Sequence, residues 1–353
     1  MLGRPVVVAL VAAALVACTA PSAARGHSDV STASIAAVSS TTTSTTTPVA
    51  LVDWTGVVEH LFFHTLVIRP ELAFQHDTLG QGFKDYFVTV GEFRAILEQL
   101  YANGWTLVDI HRAVAGTVRV PAGRKPLVLS EDDVNYYDYE RPRGLGWRLV
   151  LDAQQNVRVE VRDELGTRVT DDDLIPIVDQ FVAAHPDFSA DGAKGVIALT
   201  GYQGLFGERV DDPSDPDFDG SIGRATAIAT RLRQTGWTLA SHSHGHIDLS
   251  KDSVSTATRD VERWQAEATP IIGPTDIYVY PFGASPGTST RNMLRDHGFT
   301  IQCNIDPVPR LNVLDGVTVM SRRHVDGIAF AQQRRGLAPF FDVDAVEDVA
   351  ARQ

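Results

Sequence analysis

Beyond residue 57, apolar positions follow two alternating rhythms. Phe93, Ile96, Leu97, Leu100 and Tyr101 recur every three or four residues, the spacing of a helix that buries one face. Gly104 ends that pattern and Trp105-Thr106-Leu107-Val108 begins a strand. The unit repeats: Ile222, Ala225, Ala229 and Leu232 predict a helix, Gly236 stops it, and Trp237-Thr238-Leu239-Ala240 follows as a strand. Val254, Ala257, Val261 and Trp264 predict another helix before the strand Asp276 to Tyr280. Met293 and Leu294 then lead through Gly298 into Phe299 to Cys303, which makes Cys303 a buried strand residue rather than a nucleophile. Helices alternating with short apolar strands predict an α/β domain with a parallel sheet, open or closed into a barrel. One segment breaks the alternation. Trp147 to Leu151 and Val157 to Val161 flank a polar turn and predict a β-hairpin inserted after the strand Leu127 to Leu129.

The first fifty residues follow neither rhythm. Arg4 precedes an unbroken apolar run from Val6 to Val16, of signal-peptide length and too short to span a bilayer. Leu15-Val16-Ala17-Cys18 resembles the bacterial lipobox, which predicts a signal peptide over 1–17 and lipidation of Cys18. Residues 18–50 are rich in Ser, Thr, Ala and Pro and have no apolar face to bury, so they read as a flexible tether. The folded domain is expected over 51–340, with its insertion at about 134–170, and a C-terminal tail over 341–353. These signals together predict an extracytoplasmic, membrane-anchored lipoprotein.

Composition narrows the partners. The net charge is −13, spread along the chain, which disfavours nucleic acid and anionic lipid and leaves neutral or cationic sugar polymers open. Cys18 and Cys303 are the two cysteines. With Cys18 lipidated, no intramolecular disulfide can form and the domain is held by packing.

Polar clusters follow the apolar strands. Ser130-Glu131-Asp132-Asp133 follows Leu127 to Leu129, His242-Ser243-His244-Gly245-His246 follows Thr238 to Ala240, Pro281-Phe282-Gly283 follows Ile277 to Tyr280, and Arg322-Arg323-His324 follows Val317 to Val319. In parallel α/β folds these C-terminal strand ends share one mouth, where sites are built. His242 and His246 are four apart, so on a helical turn they would share a face and grip one ion, with His244 pointing away. A carboxylate and two imidazoles leave a position for water, the arrangement of a catalytic metal site. His64 reads as a hydrogen-bonded rim residue.

The order of these motifs carries a resemblance. Asp132-Asp133, then His-Ser-x-x-His, then Tyr-Pro-Phe-Gly resembles the NodB-type polysaccharide deacetylases over roughly residues 57–330. More narrowly, Leu129-Ser130-Glu131-Asp132-Asp133-Val134-Asn135-Tyr136-Tyr137 resembles a subgroup of bacterial members. The resemblance implies a distorted (β/α) barrel and a divalent metal, zinc first among the choices, held by Asp133, His242 and His246. It further implies Asp132 as general base, His324 as the acid that protonates the leaving amine, and a backbone N–H near Phe282 facing the oxyanion. Tyr136 and Tyr137 are expected to meet sugar rings or to pack under the insertion. The implied substrate is an N-acetylated polysaccharide or glycan of the envelope or exterior.

Departures from the family pattern keep two other readings open. Val279 stands where the family carries the arginine that braces the base, with Arg322 or Arg323 as substitutes from a neighbouring strand end, and Glu131 replaces an aromatic. A carbohydrate-binding lipoprotein that lost catalysis would fit these changes, and the same centre could serve an O-acyl esterase.

Overall fold

The computed structural model describes residues 50–353. The expected signal peptide, Cys18 and most of the expected tether lie outside the described residues. Seven strands, numbered in chain order, form the frame: β1 (Glu59–His64), β2 (Lys125–Asp132), β3 (Gly195–Leu199), β4 (Trp237–Ser241), β5 (Ile277–Val279), β6 (Ile301–Ile305) and β7 (Val317–His324). Each pairs in parallel with the next, and β7 pairs in parallel with both β6 and β1. The sheet therefore closes into a parallel barrel in which chain order and spatial order coincide. Closure removes the free edges that an open sheet would leave. It also settles the alternative left by the periodicity, in favour of the expected (β/α) barrel.

Successive side chains on a strand point to opposite faces, and the burial pattern follows that rule. Leu127, Leu129, Ile197, Leu199 and Leu239 join the outer cluster with Phe93, Ile96, Ile228 and Val261 of the covering helices. Val128, Val196, Ala198, Ala240, Val279, Cys303 and Met320 fill the interior. The covering helices are α1 (Val90–Ala102), α2 (Leu174–Ala184), α3 (Phe218–Gln234), α4 (Val254–Glu267) and α5 (Thr288–Asp296). Thr89 and Glu92 form a reciprocal capping box at the start of α1, so two of its otherwise unpaired N–H groups are satisfied. No helix among the described residues is long and apolar enough to cross a membrane.

One expectation needs correction, and two other segments are placed by the structure. The inserted hairpin is a three-stranded antiparallel meander, because Gly166–Thr170 adds a strand to Arg148–Leu151 and Val157–Asp163. Its sequence is largely polar, so it lacked the apolar mark of a strand. The segment Trp105–Leu107 pairs with the start of β2 outside the ring. Residues 341–353, the expected C-terminal tail, pack on the barrel: Phe341, Val343 and Val346 are buried, and Arg352 pairs with the buried Glu92 at 2.7 Å.

Candidate metal centre and active site

The inward-facing residues turn polar towards the barrel mouth. On β1 the inner face runs His60, Phe62, His64; on β2 it runs Val128, Ser130, Asp132; on β7 it runs Met320, Arg322, His324. The Arg322 guanidinium, fully buried, donates to both oxygens of Asp132 at 2.7 and 2.9 Å and lies 4.2 Å over the Phe62 ring. It also reaches Ser130 Oγ at 3.3 Å, and that hydroxyl is 2.9 Å from His60 Nε2. Burial opposes ionisation of Asp132, but Arg322, with His242 behind it, outweighs that and holds the carboxyl at about 2. Asp132 is therefore a carboxylate at neutral pH. Arg322 does the work expected of an arginine at the position of Val279.

Asp133 leaves the strand at φ +60, a left-handed conformation that Asp adopts more readily than most residues. The bend turns its carboxylate towards His242 and His246. The three side chains offer ligand atoms that all lie within 4.8 Å of one another, and His246 Nε2 is 3.8 Å from Asp133 Oδ2. Ligands about 2.0–2.1 Å from a tetrahedral zinc stand roughly 3.4 Å apart, so the three side chains would draw together around such an ion, by about an ångström at the widest pair. His242 Nδ1 lies 3.0 Å from the Val279 carbonyl. That contact makes Nδ1 the protonated nitrogen and leaves Nε2 to face the cluster, as metal-ligating histidines usually are. Burial lowers the His242 pKa, which keeps the ring neutral and its lone pair free.

The two histidines do not sit on a helical turn. Residues 242–246 form a loop after β4, with Ser243 at φ +70 and His246 at φ +49. Asp260 on α4 organises it: Oδ1 accepts from Ser243 Oγ at 2.8 Å and His244 N at 2.7 Å, and Oδ2 accepts from Gly245 N at 2.7 Å. His244 points away, its Nε2 2.8 Å from Glu267 of α4.

Tyr137 and Tyr136 are buried, with 5% and 0% exposure, so neither can present a ring face to a sugar. Tyr137 instead donates to Asp133 Oδ1 at 2.7 Å, and Thr200 Oγ stands 2.8 Å from the same phenol oxygen. Tyr136 hydrogen-bonds Asp173, the N-cap residue of α2. Glu131 points outward from β2 and is fully buried near the same aspartate. Burial, reinforced by Asp173, raises the Glu131 pKa well above the usual range, and burial raises that of Asp173 as well. Both Glu131 oxygens are buried without a hydrogen-bond partner, which favours the neutral acid, and the departure at Glu131 lies behind the site rather than in it.

His324 stands at the end of β7, but both ring nitrogens are engaged, Nδ1 with Asp326 at 2.8 Å and Nε2 with the Gln333 amide at 2.6 Å. His64 is differently placed. It is in register with Asp132 on the neighbouring strand. Its Nδ1 is held by the Tyr86 carbonyl at 2.9 Å, and among the described residues no protein group bonds its Nε2. Its position at a C-terminal strand end was the available signal in the sequence, the one that marked the other four clusters. Phe282, at φ +58 and 65% exposed, packs edge-on against His246 with ring centroids 4.5 Å apart.

Residues 213–302 match the family model described as polysaccharide deacetylase. No curated protein matches the sequence. Among solved structures, a deacetylase from Streptococcus pyogenes in complex with acetate is similar, with 13% identity, 77% of this chain and 93% of that chain covered, and a TM-score of 0.47. A de-N-acetylase from Aggregatibacter actinomycetemcomitans is similar at 14% identity, covering 81% of this chain and 100% of that one, with a TM-score of 0.49. A family pseudoenzyme from Bacillus anthracis is similar at 7% identity over 48% of this chain and 59% of its own, with a TM-score of 0.27. The segment 213–302, which carries His242, His246 and the Pro-Phe-Gly turn, matches the polysaccharide deacetylase family, and it lies within the closed parallel barrel.

Proposed function

We propose that this carbohydrate deacetylase is metal-dependent and hydrolyses the acetamide of N-acetylated sugars in an envelope or extracellular polysaccharide. The observation that carries the reading is the convergence of Asp133, His242 and His246 beside a carboxylate that Arg322 keeps ionised. A divalent ion, zinc first, would acidify water and polarise the acetyl carbonyl there. Asp132 takes the proton of the attacking water. The pair with Arg322 fixes both of its oxygens, so the base is positioned rather than free to rotate. His64 Nε2 delivers the proton that the departing amine needs, with its ring oriented through Nδ1 by Tyr86. His324, tied up by Asp326 and Gln333, shapes the wall beside Phe62. The peptide N–H of Phe282, in the turn bordering His246, is assigned to the oxyanion.

Acetate release from N-acetylated oligosaccharides, measured alongside bound metal, tests the reading. Asp132→Asn should lose roughly a hundred- to ten-thousandfold in kcat while retaining its metal. His64→Ala should lose more activity than His324→Ala. Full turnover in Asp132→Asn removes the assigned base, and a larger loss in His324→Ala returns the acid to that residue. The same assay on O-acetylated sugars decides between amide and ester substrates.

Location is proposed from the lipobox alone. Cys18 would carry the lipid, and residues 19–50 would let the barrel reach outward from the membrane. Cys18→Ala should move the protein from the detergent to the aqueous phase on partitioning. Unchanged partitioning rejects the anchor.

A further inference from the structure

The base of the barrel, opposite the mouth, has an unusual surface. Val57 lies just ahead of β1, and the strand Leu311–Leu314 runs antiparallel to the start of β7, with Leu314 opposite Val317. Both segments are therefore at the N-terminal ends of the barrel strands. Val57 and Val313 are 61 and 73% exposed, and Val52, Leu311 and Leu314 are exposed as well. A cavity of about 320 Å³ joins the two segments, with Trp54, Val57, Val58, Val118, Leu311 and Met320 in its lining. Leu311–Leu314 pairs with β7 along one edge and, among the described residues, with no strand along the other.

Folded proteins usually blunt such an edge with charge, proline or a covering element; this one carries two leucines and a valine. Apolar surface gathered in this way marks contact with a partner. The path of the chain and the local charge indicate which. Residues 1–49 reach the domain at this face: Leu51–Asp53 pairs with Arg119–Pro121 ahead of β2, and Trp54 N donates to the Val118 carbonyl at 2.9 Å. The charges that border the patch cancel. Arg119 meets Asp53 at 3.4 Å, Arg310 meets Asp306 at 3.3 Å and Arg291 meets Asp315 at 3.5 Å. In a chain of net charge −13, the base is thus a neutral apolar face, which a zwitterionic lipid surface does not repel.

We propose that the base rests on a phospholipid bilayer through Val52, Val57, Leu311, Val313 and Leu314, so that the mouth of the barrel faces away from the membrane. This goes beyond the deacetylase reading and takes from the proposed anchor only that the domain is held close to lipid. A tether raises the effective concentration of the domain at the surface, and affinity for the bilayer interface grows with the apolar area inserted. The loops that carry the metal-facing residues then point towards material beyond the lipid.

The test uses the full chain in phosphatidylcholine vesicles, with and without bromine on the acyl chains. A bimane label is placed on Val313→Cys at the base or, as control, on Leu165→Cys in the turn of the inserted meander, and the chain with neither substitution gives the background. Bromine should quench the label at 313 several-fold more than the label at 165. Val57→Asp together with Leu314→Asp should bring the quenching at 313 down to that of the control, while the melting transition and acetate release from soluble oligosaccharides stay those of the parent. Equal quenching at the two positions, or quenching at 313 that survives both aspartates, overturns the membrane contact and leaves the anchor and deacetylase readings standing. Shielding of the 313 label that needs no vesicles and grows with protein concentration assigns the face to a second copy of the chain and overturns it too. A chain that does not float with the vesicles overturns the anchor and the contact together.

Discussion

Arg322 and Asp132 exchange two hydrogen bonds where almost no water reaches. Removing one partner from such a pair leaves a buried charge without compensation, which costs about 3–5 kcal/mol. Arg322→Ala should therefore lower stability by that amount in urea denaturation and abolish turnover. Arg322→Lys should recover part of the stability and little of the activity, because an ammonium cannot present the two-pronged donor that fixes both carboxylate oxygens. At this scale the sequence was legible for chemistry and less so for placement. Asp133, His242 and His246 could be grouped by their types and order, and the structure brings their ligand atoms within 4.8 Å of one another. The brace was visible only as a choice between Arg322 and Arg323, since alternation decides which one points inward and the register of β7 was unknown. Tyr136 and Tyr137 look like sugar-binding residues in a string of letters. Only the left-handed bends at Asp133 and Tyr136 reveal that both rings turn into the protein.

Among the elements, α4 has a second duty besides covering the barrel. Its Asp260 accepts three hydrogen bonds from the loop that carries His242 and His246. Groups one step behind metal ligands typically contribute 10–100-fold in affinity. Asp260→Ala is expected to weaken metal binding by about that factor, read by competition with a chromophoric chelator, while Asp260→Asn retains part of it. Periodicity located α4 well, because Ala257, Val261 and Trp264 mark one buried face. The Asp260 contact could not be found that way: it depends on how a loop folds back, and loops have no repeat to read. The third strand of the insertion escaped for a related reason. Exposed on most positions, it carries little of the apolar alternation by which strands are recognised.

For the molecule as a whole, the last thirteen residues are structural. Phe341, Val343 and Val346 are buried and Arg352 caps the acid pocket of Glu92. Burying three apolar side chains is worth about 1.5–3 kcal/mol each, so deletion of residues 341–353 should lower thermal stability by on the order of 5 kcal/mol. A truncated protein that melts like the full chain would show these contacts to be incidental. Short helices after the last strand carry too few apolar positions to declare a face, so from sequence these residues read only as a C-terminal tail. Barrel closure was likewise undetermined, since the same alternation of helices and strands fits an open sheet.

The ring is wound in order, and its last strand supplies the guanidinium that steadies a carboxylate on its second. A chain still emerging from a ribosome thus holds His242 and His246 before it possesses the arginine that pairs with Asp132. On the proposed mechanism, hydrolytic competence would arrive only with the final staves, and an unfinished or clipped copy would be inert.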